Sequence, residues 1–157
     1  MNSVWFKEFG NFSKIGMWVS VKGERKYFDC GEKLYCWIRV DEGKKGGKEL
    51  REKLMKCSSG YEVKKLSYEN KGLWRDDWDE IKVEVMKYVV RMKFKCNWEL
   101  MNGLMLEVGS REVVEMNKHG DKFWGKVNEG GKWVGENWLV RVIMVVWSEM
   151  SRERETW

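Results

Sequence analysis

The chain has 157 residues, of which 30 are basic and 25 acidic, giving a formal net charge of +5. This length corresponds to one domain that can bury a core of its own. The charges are interspersed, so the positive excess favours anionic ligands in general and does not single out nucleic acid. Lys7 and Glu8 interrupt the early apolar residues, and no apolar run is long enough to span a membrane. We therefore expect a cytoplasmic protein without membrane association.

The cysteines, Cys30, Cys36, Cys57 and Cys96, contain no Cys-x-x-Cys pair, and His119 is the single histidine. A structural zinc site needs close ligand pairs, so we expect no metal site and no cofactor. Free thiols in a reducing compartment are the simplest interpretation. We expect His119 to lie in an exposed loop, and we assign it no role.

The composition is restricted in an unusual way. The chain has no Ala, Pro or Gln, one Thr and one His, while Trp and Met rise to 11 and 10 residues. These five depleted types are the ones whose codons always contain cytosine. The pattern indicates a gene depleted in cytosine or a deliberately restricted alphabet. Tryptophan can therefore stand where another residue would normally serve, and the aromatic excess is weak evidence for ligand stacking.

The first part of the chain predicts a hairpin followed by short helices. Trp18–Val21 alternates apolar and polar residues, Lys22 and Gly23 suit a turn, and Lys26–Phe28 is the expected partner strand. Helices are predicted at Gly31–Val40, Glu49–Cys57 and Tyr61–Leu66, with a flexible break at residues 41–47.

The predicted helix Gly31–Val40 places Glu32, Tyr35 and Arg39 on one face, because they are spaced by three and four residues. A carboxylate and a guanidinium on one face can form a surface ion pair, which contributes little stability. They can equally line a pocket, and the residues alone leave both interpretations open.

The longest predicted helix starts at Asp76, whose side chain can cap it, and ends at Asn97. A second helix follows at Trp98–Leu106, Gly109 ends it, and Glu112–Met116 suits a short strand. The apolar stripe of the long helix is predicted at Trp78, Ile81, Val85, Val89, Met92 and Cys96.

A glycine-rich loop at residues 121–139 leads into the last helix. Four glycines free its backbone, and Asn137 can cap the helix. An open backbone before a helix N-terminus suits an anion such as phosphate, while the plain alternative is a long turn.

The charged residues from Ser151 are expected to fray. Mostly helical with a few short strands, the pattern predicts an α+β fold. The inward face of the last helix is predicted at Leu139, Val142, Ile143, Val146, Trp147 and Met150.

An ordered set of short motifs runs through roughly residues 5 to 150. It resembles the pattern F-S-N-F, E-H-Y, W-x-x-x-K-x-x-V-M, K-F, V-E, D-x-x-W-G and G-x-N-x-L-G of the YbiA-like, or NADAR, family. Each motif is weak alone, and the ordered set is more specific. The segments that carry the resemblance are Phe9–Phe12, Glu32, Asp77–Met86, Lys93-Phe94, Val114-Glu115, Asp121–Gly125 and Gly135–Leu139.

The resemblance implies a single, mostly helical α+β domain over residues 1–150 with a small sheet of short strands, followed by a charged tail at 151–157. Members are similar to N-glycosidases, hydrolases that cleave the bond between ribose and an amine or base. The implied substrates are ribosylaminopyrimidine phosphates and ADP-ribosyl compounds, including ADP-ribosylated nucleic acid. We expect the protein to be a monomer.

The resemblance also implies a set of pocket residues. Cleavage of an N-glycosidic bond builds positive charge on the ribose, and the leaving nitrogen needs a proton, which are tasks for carboxylates. Glu32 is the first catalytic candidate and Asp121 the second. Arg39 can hold a phosphate through its planar fork, or it can pair with Glu32 or Glu42. The remaining predicted substrate-binding residues are Asn11, Trp78, Glu115, Trp124 and Asn137.

The chain departs from the family pattern at several positions. Lys33 replaces a His, Arg39 a Lys, Lys126 an Asp and Val140 a Gly, and Asp29-Cys30 replaces a Pro-Thr pair. An arginine cannot act as an amine nucleophile, so an imine mechanism at position 39 is in doubt.

Two alternative functions stay open. In the first, Lys33, Arg39 and Lys126 add positive charge to a catalytically impaired module that binds NAD or ADP-ribose. In the second, interleaved Lys and Trp residues contact nucleic acid through phosphates and stacking. The second ranks last, because the basic residues do not cluster on one stripe.

Overall fold

The computed structural model describes residues 3–115 and 120–155, so His119 and the end of the tail lie outside the described residues. The described part contains six α-helices and three two-stranded sheets, which confirms the mostly helical α+β class. In chain order the elements are β1 (Ser3–Val4), a 3-10 turn (Lys7–Phe9), β2 (Met17–Val21), β3 (Glu24–Phe28), α1 (Gly31–Arg39), α2 (Gly47–Lys56), α3 (Gly60–Tyr68), a 3-10 turn (Lys71–Leu73), α4 (Trp78–Cys96), α5 (Trp98–Val108), β4 (Glu112–Val113), β5 (Val127–Glu129), β6 (Lys132–Val134) and α6 (Trp138–Glu155).

The chain divides into two compact units. The central unit comprises Asn11–Asn97, and the terminal unit comprises Met1–Gly10 with Trp98–Trp157. The expected domain boundary at residue 150 stays a prediction.

The hairpin and helix α1 organise the central unit. Strands β2 and β3 pair from Met17 opposite Phe28 to Val21 opposite Glu24, which confirms the predicted hairpin and extends its second strand back to Glu24. The two turn residues, Lys22 and Gly23, both have positive φ, as the tightest hairpin turn requires. Helix α1 is buried almost all round, and it takes three charged residues into the interior: Glu32, Lys33 and Arg39.

Helix α4 confirms the longest predicted helix but corrects its start and its buried face. Its N-cap residue is Asp77, whose side chain makes no capping bond and pairs with Arg75 instead, while Asp76 pairs with Lys44 at 2.8 Å. Apolar residues occur around much of this helix, so their spacing could not select the face that packs on α1 and β2. Ile81, Val85 and Met92 are only partly buried and Cys96 is exposed, whereas the buried residues are Trp78, Met86, Val89, Val90, Lys93 and Phe94.

The terminal unit contains α5, α6, the parallel pair β1–β4 and the hairpin β5–β6. The predicted buried face of α6 is confirmed except at Trp147, which is half-buried and donates from Nε1 to Asn102 at 2.8 Å. Gly109 ends α5 with φ +59, as predicted. The expected fraying from Ser151 is wrong, because α6 continues to Glu155. Among the described helices, none is both long and apolar enough to cross a membrane.

Candidate functional site

The glycine-rich segment of the terminal unit is built as a hairpin rather than as an open loop. Strands β5 and β6 pair Glu129 with Lys132, which leaves Gly130 and Gly131 as a two-residue turn. Their φ values of +60° and +88° place both in the left-handed region that such a turn requires. These two strands were not predicted from the sequence, because each has only three residues and they flank a glycine pair.

The backbone N–H groups at the start of α6 are already used within the terminal unit. The N–H groups of Glu136 and Asn137 donate to the carbonyls of Lys122 and Gly125, at 2.7 and 3.3 Å. Those of Trp138 and Leu139 each donate at 3.0 Å to the carbonyls of Phe123 and Trp124. The expectation of an open phosphate site at this helix N-terminus is therefore wrong, because residues 122–125 occupy these donors.

Asn137 and Asp121 fix the backbone on either side of this contact. The Asn137 side chain accepts from the N–H of Glu115 at 3.1 Å and donates to the carbonyl of Val113 at 3.1 Å. It therefore ties β4 to the start of α6, and the predicted capping of α6 by this side chain is wrong. Asp121 Oδ1 accepts from the N–H groups of Phe123 and Trp124, at 2.9 and 3.0 Å, which shapes the turn.

Glu32 lies in the central unit, in the first turn of α1, and is 8% exposed. Its backbone N–H donates to the carbonyl of Asn11 at 2.9 Å, which holds the start of the helix. Burial raises the pKa of the Glu32 carboxyl. The opposing influences are weaker; they come from the charges of Arg39 and Lys64 and from hydrogen bonds with Cys36 and Asn11.

The Cys36 thiol links this carboxyl to Arg39. Cys36 Sγ donates to Glu32 Oε1 at 3.3 Å and accepts from Arg39 Nη2 at 3.1 Å. Cys36 is one helical turn beyond Glu32 and is fully buried. Burial, followed by the nearby Glu32 charge, raises the pKa of this thiol well above its ordinary value, so the thiol remains a proton donor to the carboxyl.

Arg39 is 3% exposed, and its guanidinium is enclosed by aromatic rings. It also donates from Nη2 to Ser67 Oγ at 2.8 Å, and its buried Nε makes no hydrogen bond within the described residues. Both predicted ion pairs are wrong: no contact within 4.0 Å joins it to Glu32, and Glu42 instead pairs with Arg51 at 2.7 Å. The four rings lie 3.9 to 5.6 Å from the Arg39 Cζ and belong to Trp74, Tyr68, Tyr35 and Trp78.

Two further predicted residues complete this cluster. The Trp78 ring packs edge-on against Tyr35 at 4.9 Å, so it contributes to the aromatic enclosure of Arg39. Asn11 is 9% exposed, and its Nδ2 lies 3.2 Å from the Met86 sulfur. Gly31 makes room for this amide, because an added Cβ would lie 3.0 Å from Asn11 Oδ1.

The two additional lysines are held by structural partners. Lys33 Nζ pairs with Asp29 at 3.3 Å and donates to the carbonyls of Met55 and Cys57. Lys126 Nζ pairs with Glu112 at 3.6 Å. Of the three basic replacements, Arg39 is therefore the one in the Glu32 cluster.

The predicted site residues form two groups, one in each unit. Asn11, Glu32, Arg39 and Trp78 come together in the central unit, whereas Glu115, Asp121, Trp124 and Asn137 belong to one segment of the terminal unit. That both groups line one pocket stays a prediction. The central group also contains four residues that were not predicted from the sequence: Cys36, Ser67, Tyr68 and Trp74. Of these, Cys36 alone carries a sequence signal, since it lies four residues after Glu32 on one helix face.

The NADAR domain family model matches residues 2–151 of the chain. The chain belongs to the NADAR family. No group of three or more His, Cys, Asp or Glu side chains among the described residues is arranged to hold a metal ion.

Named relatives of this NADAR chain fall into two groups. The chain is 25% identical over 148 residues to N-glycosidase YbiA of Escherichia coli, a match that covers 94% of the chain and 85% of YbiA. It is 33% identical over 105 residues to an N-glycosidase of Acanthamoeba polyphaga mimivirus, covering 62% of the chain and 61% of the relative. It is 39% identical over 102 residues to a riboflavin biosynthesis protein of Vibrio vulnificus, covering 65% of the chain but only 26% of that longer protein.

The NADAR fold of the chain also matches a solved structure. The NMR structure of YbiA from Escherichia coli superposes with a TM-score of 0.75 at 23% sequence identity, covering 97% of the chain and 85% of YbiA. At this identity the match shows the shared fold.

Proposed function

We propose that the chain is an N-glycosidase that hydrolyses the bond between a ribose and an amine or base, with Glu32 as the catalytic acid. The observation that carries this proposal is the buried Glu32 carboxyl, whose pKa is raised by burial. A carboxyl that keeps its proton closer to neutral pH can deliver that proton to a leaving nitrogen. The names of the N-glycosidase relatives agree with this chemistry.

In the proposed reaction, the Glu32 carboxyl transfers its proton to the leaving nitrogen as the bond from that nitrogen to ribose C1′ breaks. The electrons of the bond leave with the nitrogen, and the ribose carries the positive charge. Water adds to C1′, and the proton it loses returns to the Glu32 carboxylate. The products are the free amine or base and a ribose with a hydroxyl at C1′, and Glu32 is regenerated.

The Arg39 guanidinium supports this cycle from within the protein. Its positive charge lowers the pKa of the Glu32 carboxyl and so limits the rise caused by burial. Cys36 connects the two groups by hydrogen bonds. We infer that Arg39 and Cys36 tune the acid and do not attack the substrate. Asp121 stays the second catalytic candidate.

For the substrate, we propose a ribosylaminopyrimidine phosphate or an ADP-ribosyl compound. The relatives named for riboflavin biosynthesis support the first. The test is incubation of the purified protein with a ribosylaminopyrimidine phosphate and, separately, with ADP-ribosylated DNA, followed by chromatography of the released sugar phosphate or ADP-ribose.

We expect release from one of the two substrates and its loss in Glu32→Gln. The matched control is Glu62→Gln, which alters an exposed carboxylate of the same unit that bonds to Ser58. The absence of release from both substrates, or equal release by the Glu32→Gln protein, would refute the proposal for these substrates.

A second candidate function follows from Arg39. In this alternative, the chain binds NAD or ADP-ribose without cleaving it, because position 39 has no primary amine and the amine of Lys33 is bonded elsewhere. Calorimetry with ADP-ribose, paired with the release assay, separates the two functions. Binding of ADP-ribose without release of product would favour the non-catalytic binding function, whereas release that depends on Glu32 would exclude it.

A further inference from the structure

One face of α3 forms a surface groove of about 280 Å³, lined by Tyr61, Lys64, Lys65 and Tyr68. These residues share a face because they are spaced by three and four along the helix. Tyr61 is 65% exposed and Tyr68 is 45% exposed. We call this surface the α3 groove; it presents aromatic rings and ammonium groups together.

The lysines of this surface have no carboxylate within 4.0 Å among the described residues. Within residues 3–115 and 120–155, Lys64, Lys65 and the nearby Lys71 form no ion pair with a carboxylate, whereas Lys33 and Lys44 do. Lys64 and Lys71 instead lie over aromatic rings. The distances from Nζ to the ring centroids are 6.0 Å from Lys64 to Phe12, 5.9 Å from Lys64 to Tyr68, 5.1 Å from Lys71 to Tyr68 and 5.9 Å from Lys71 to Trp74.

The α3 groove adjoins the Glu32 cluster. The Tyr68 side chain lines the groove, and its ring centroid lies 5.1 Å from the Arg39 Cζ. Lys64 is close enough to Glu32 for its charge to lower the pKa of that carboxyl. A ligand in the groove would therefore lie next to the aromatic enclosure of Arg39.

We propose that the α3 groove is a binding subsite for a phosphorylated ribosyl compound that carries an aromatic base. Lys64 and Lys65 hold the phosphate, because an ammonium that is in no direct ion pair with a carboxylate can bind an anion. Tyr61 offers its exposed ring for stacking with the base. The inference rests on the proposed function for the class of substrate, and on the α3 groove for its place.

The two contributions can be measured separately by calorimetry with three probes: AMP, ribose 5-phosphate and adenosine. The double variant Lys64→Gln/Lys65→Gln should bind AMP and ribose 5-phosphate roughly tenfold more weakly and leave adenosine unchanged. Tyr61→Ser should bind AMP and adenosine roughly tenfold more weakly and leave ribose 5-phosphate unchanged. Matched controls are Lys53→Gln on α2 and Tyr88→Ser on α4, both exposed and outside the groove.

The expected result is this crossed pattern, with the control variants equal to the parent. Failure of the parent to bind AMP saturably, or groove variants that bind all probes as the parent does, would overturn the inference. The binding experiment and the release assay can fail independently, because binding in the groove needs no cleavage. If the release assay depends on Glu32 while the groove variants bind normally, the subsite is wrong and the function stands. If the crossed pattern appears without cleavage of either substrate, the subsite stands and the activity is wrong.

Discussion

Replacing Glu32 with Gln should make the stability of the protein less sensitive to rising pH. Burial raises the pKa of the Glu32 carboxyl above its ordinary value of 4.5 in the folded state. Between these two pKa values the folded protein holds a proton that the unfolded chain has released. The unfolding free energy of the parent, relative to that of the variant, is therefore highest below about pH 4.5. It falls as the pH rises through the pKa of Glu32 in the folded state.

The size of the effect follows from the linkage between proton binding and folding. Each pH unit that separates the folded and unfolded pKa values costs the parent about 1.4 kcal/mol of unfolding free energy above the folded pKa. For a chain of this length, that corresponds to a Tm change of about 3–6 °C per pH unit of separation. A neutral amide at position 32 avoids this cost, so the stability of the variant relative to the parent should increase as the pH rises.

The assay is thermal unfolding of the parent, Glu32→Gln and Glu62→Gln proteins from about pH 3 to about pH 8. The pH-independent effects of the substitution are the same throughout, so the change in the Tm difference isolates the ionisation of Glu32. Glu62→Gln is a control of opposite sign, because the hydrogen bond from the Ser58 backbone lowers the pKa of Glu62. That pKa shift adds stability above the unfolded pKa, and the added stability is lost as the pH falls. A Tm difference between parent and Glu32→Gln that stays constant over this range would refute the reasoning.

Four further variants test the two units. Arg39→Lys should lower the unfolding free energy by about 1–2 kcal/mol in urea, because an ammonium cannot make the stacked and forked contacts of the guanidinium. Treatment of this variant with borohydride and substrate should trap no covalent adduct. A trapped adduct would indicate an amine mechanism. Cys36→Val removes a hydrogen bond that lowers the pKa of Glu32, so the pH at which activity is lost should rise; an unchanged pH–rate profile would count against this tuning. Gly135→Ala should destabilise the protein by more than about 2 kcal/mol, since an added Cβ would lie 2.5 Å from the Gly125 carbonyl oxygen. Gly130 faces open space, so Gly130→Ala should cost only about 1 kcal/mol of backbone strain. Equal urea midpoints for these two variants would contradict this expectation.

The elements that the sequence predicted well are those with strong local signals. The hairpin turn at Lys22 and Gly23 and the end of α5 at Gly109 depend on backbone angles that few residues other than glycine adopt. The face of α4 was harder, because Val83, Val85 and Val89 offer apolar surface in more than one direction. Only the packing of α1 and β2 selects the face that is buried.

The candidate site was predictable where it lies on one helix. Glu32, Cys36 and Arg39 share a face of α1, and their spacing already brings them together. Ser67 and Trp74 could not be found this way, because each comes from a different segment that only tertiary packing places beside Arg39. The loop at 121–139 was misjudged for a related reason: the carbonyls that occupy the α6 N–H groups lie more than ten residues earlier in the chain.

The surroundings of Arg39 favour a mechanism that does not need an amine at this position. Lysine and arginine both have codons without cytosine, so the restricted composition does not explain the replacement. The Trp74 ring lies 3.9 Å from the Arg39 Cζ, and Ser67 and Cys36 accept from one end of the guanidinium. A planar, permanently charged group suits this enclosure better than a compact ammonium. The structure therefore encloses Arg39 as a fixed positive charge, and in the proposed mechanism this charge limits the rise of the Glu32 pKa that burial causes.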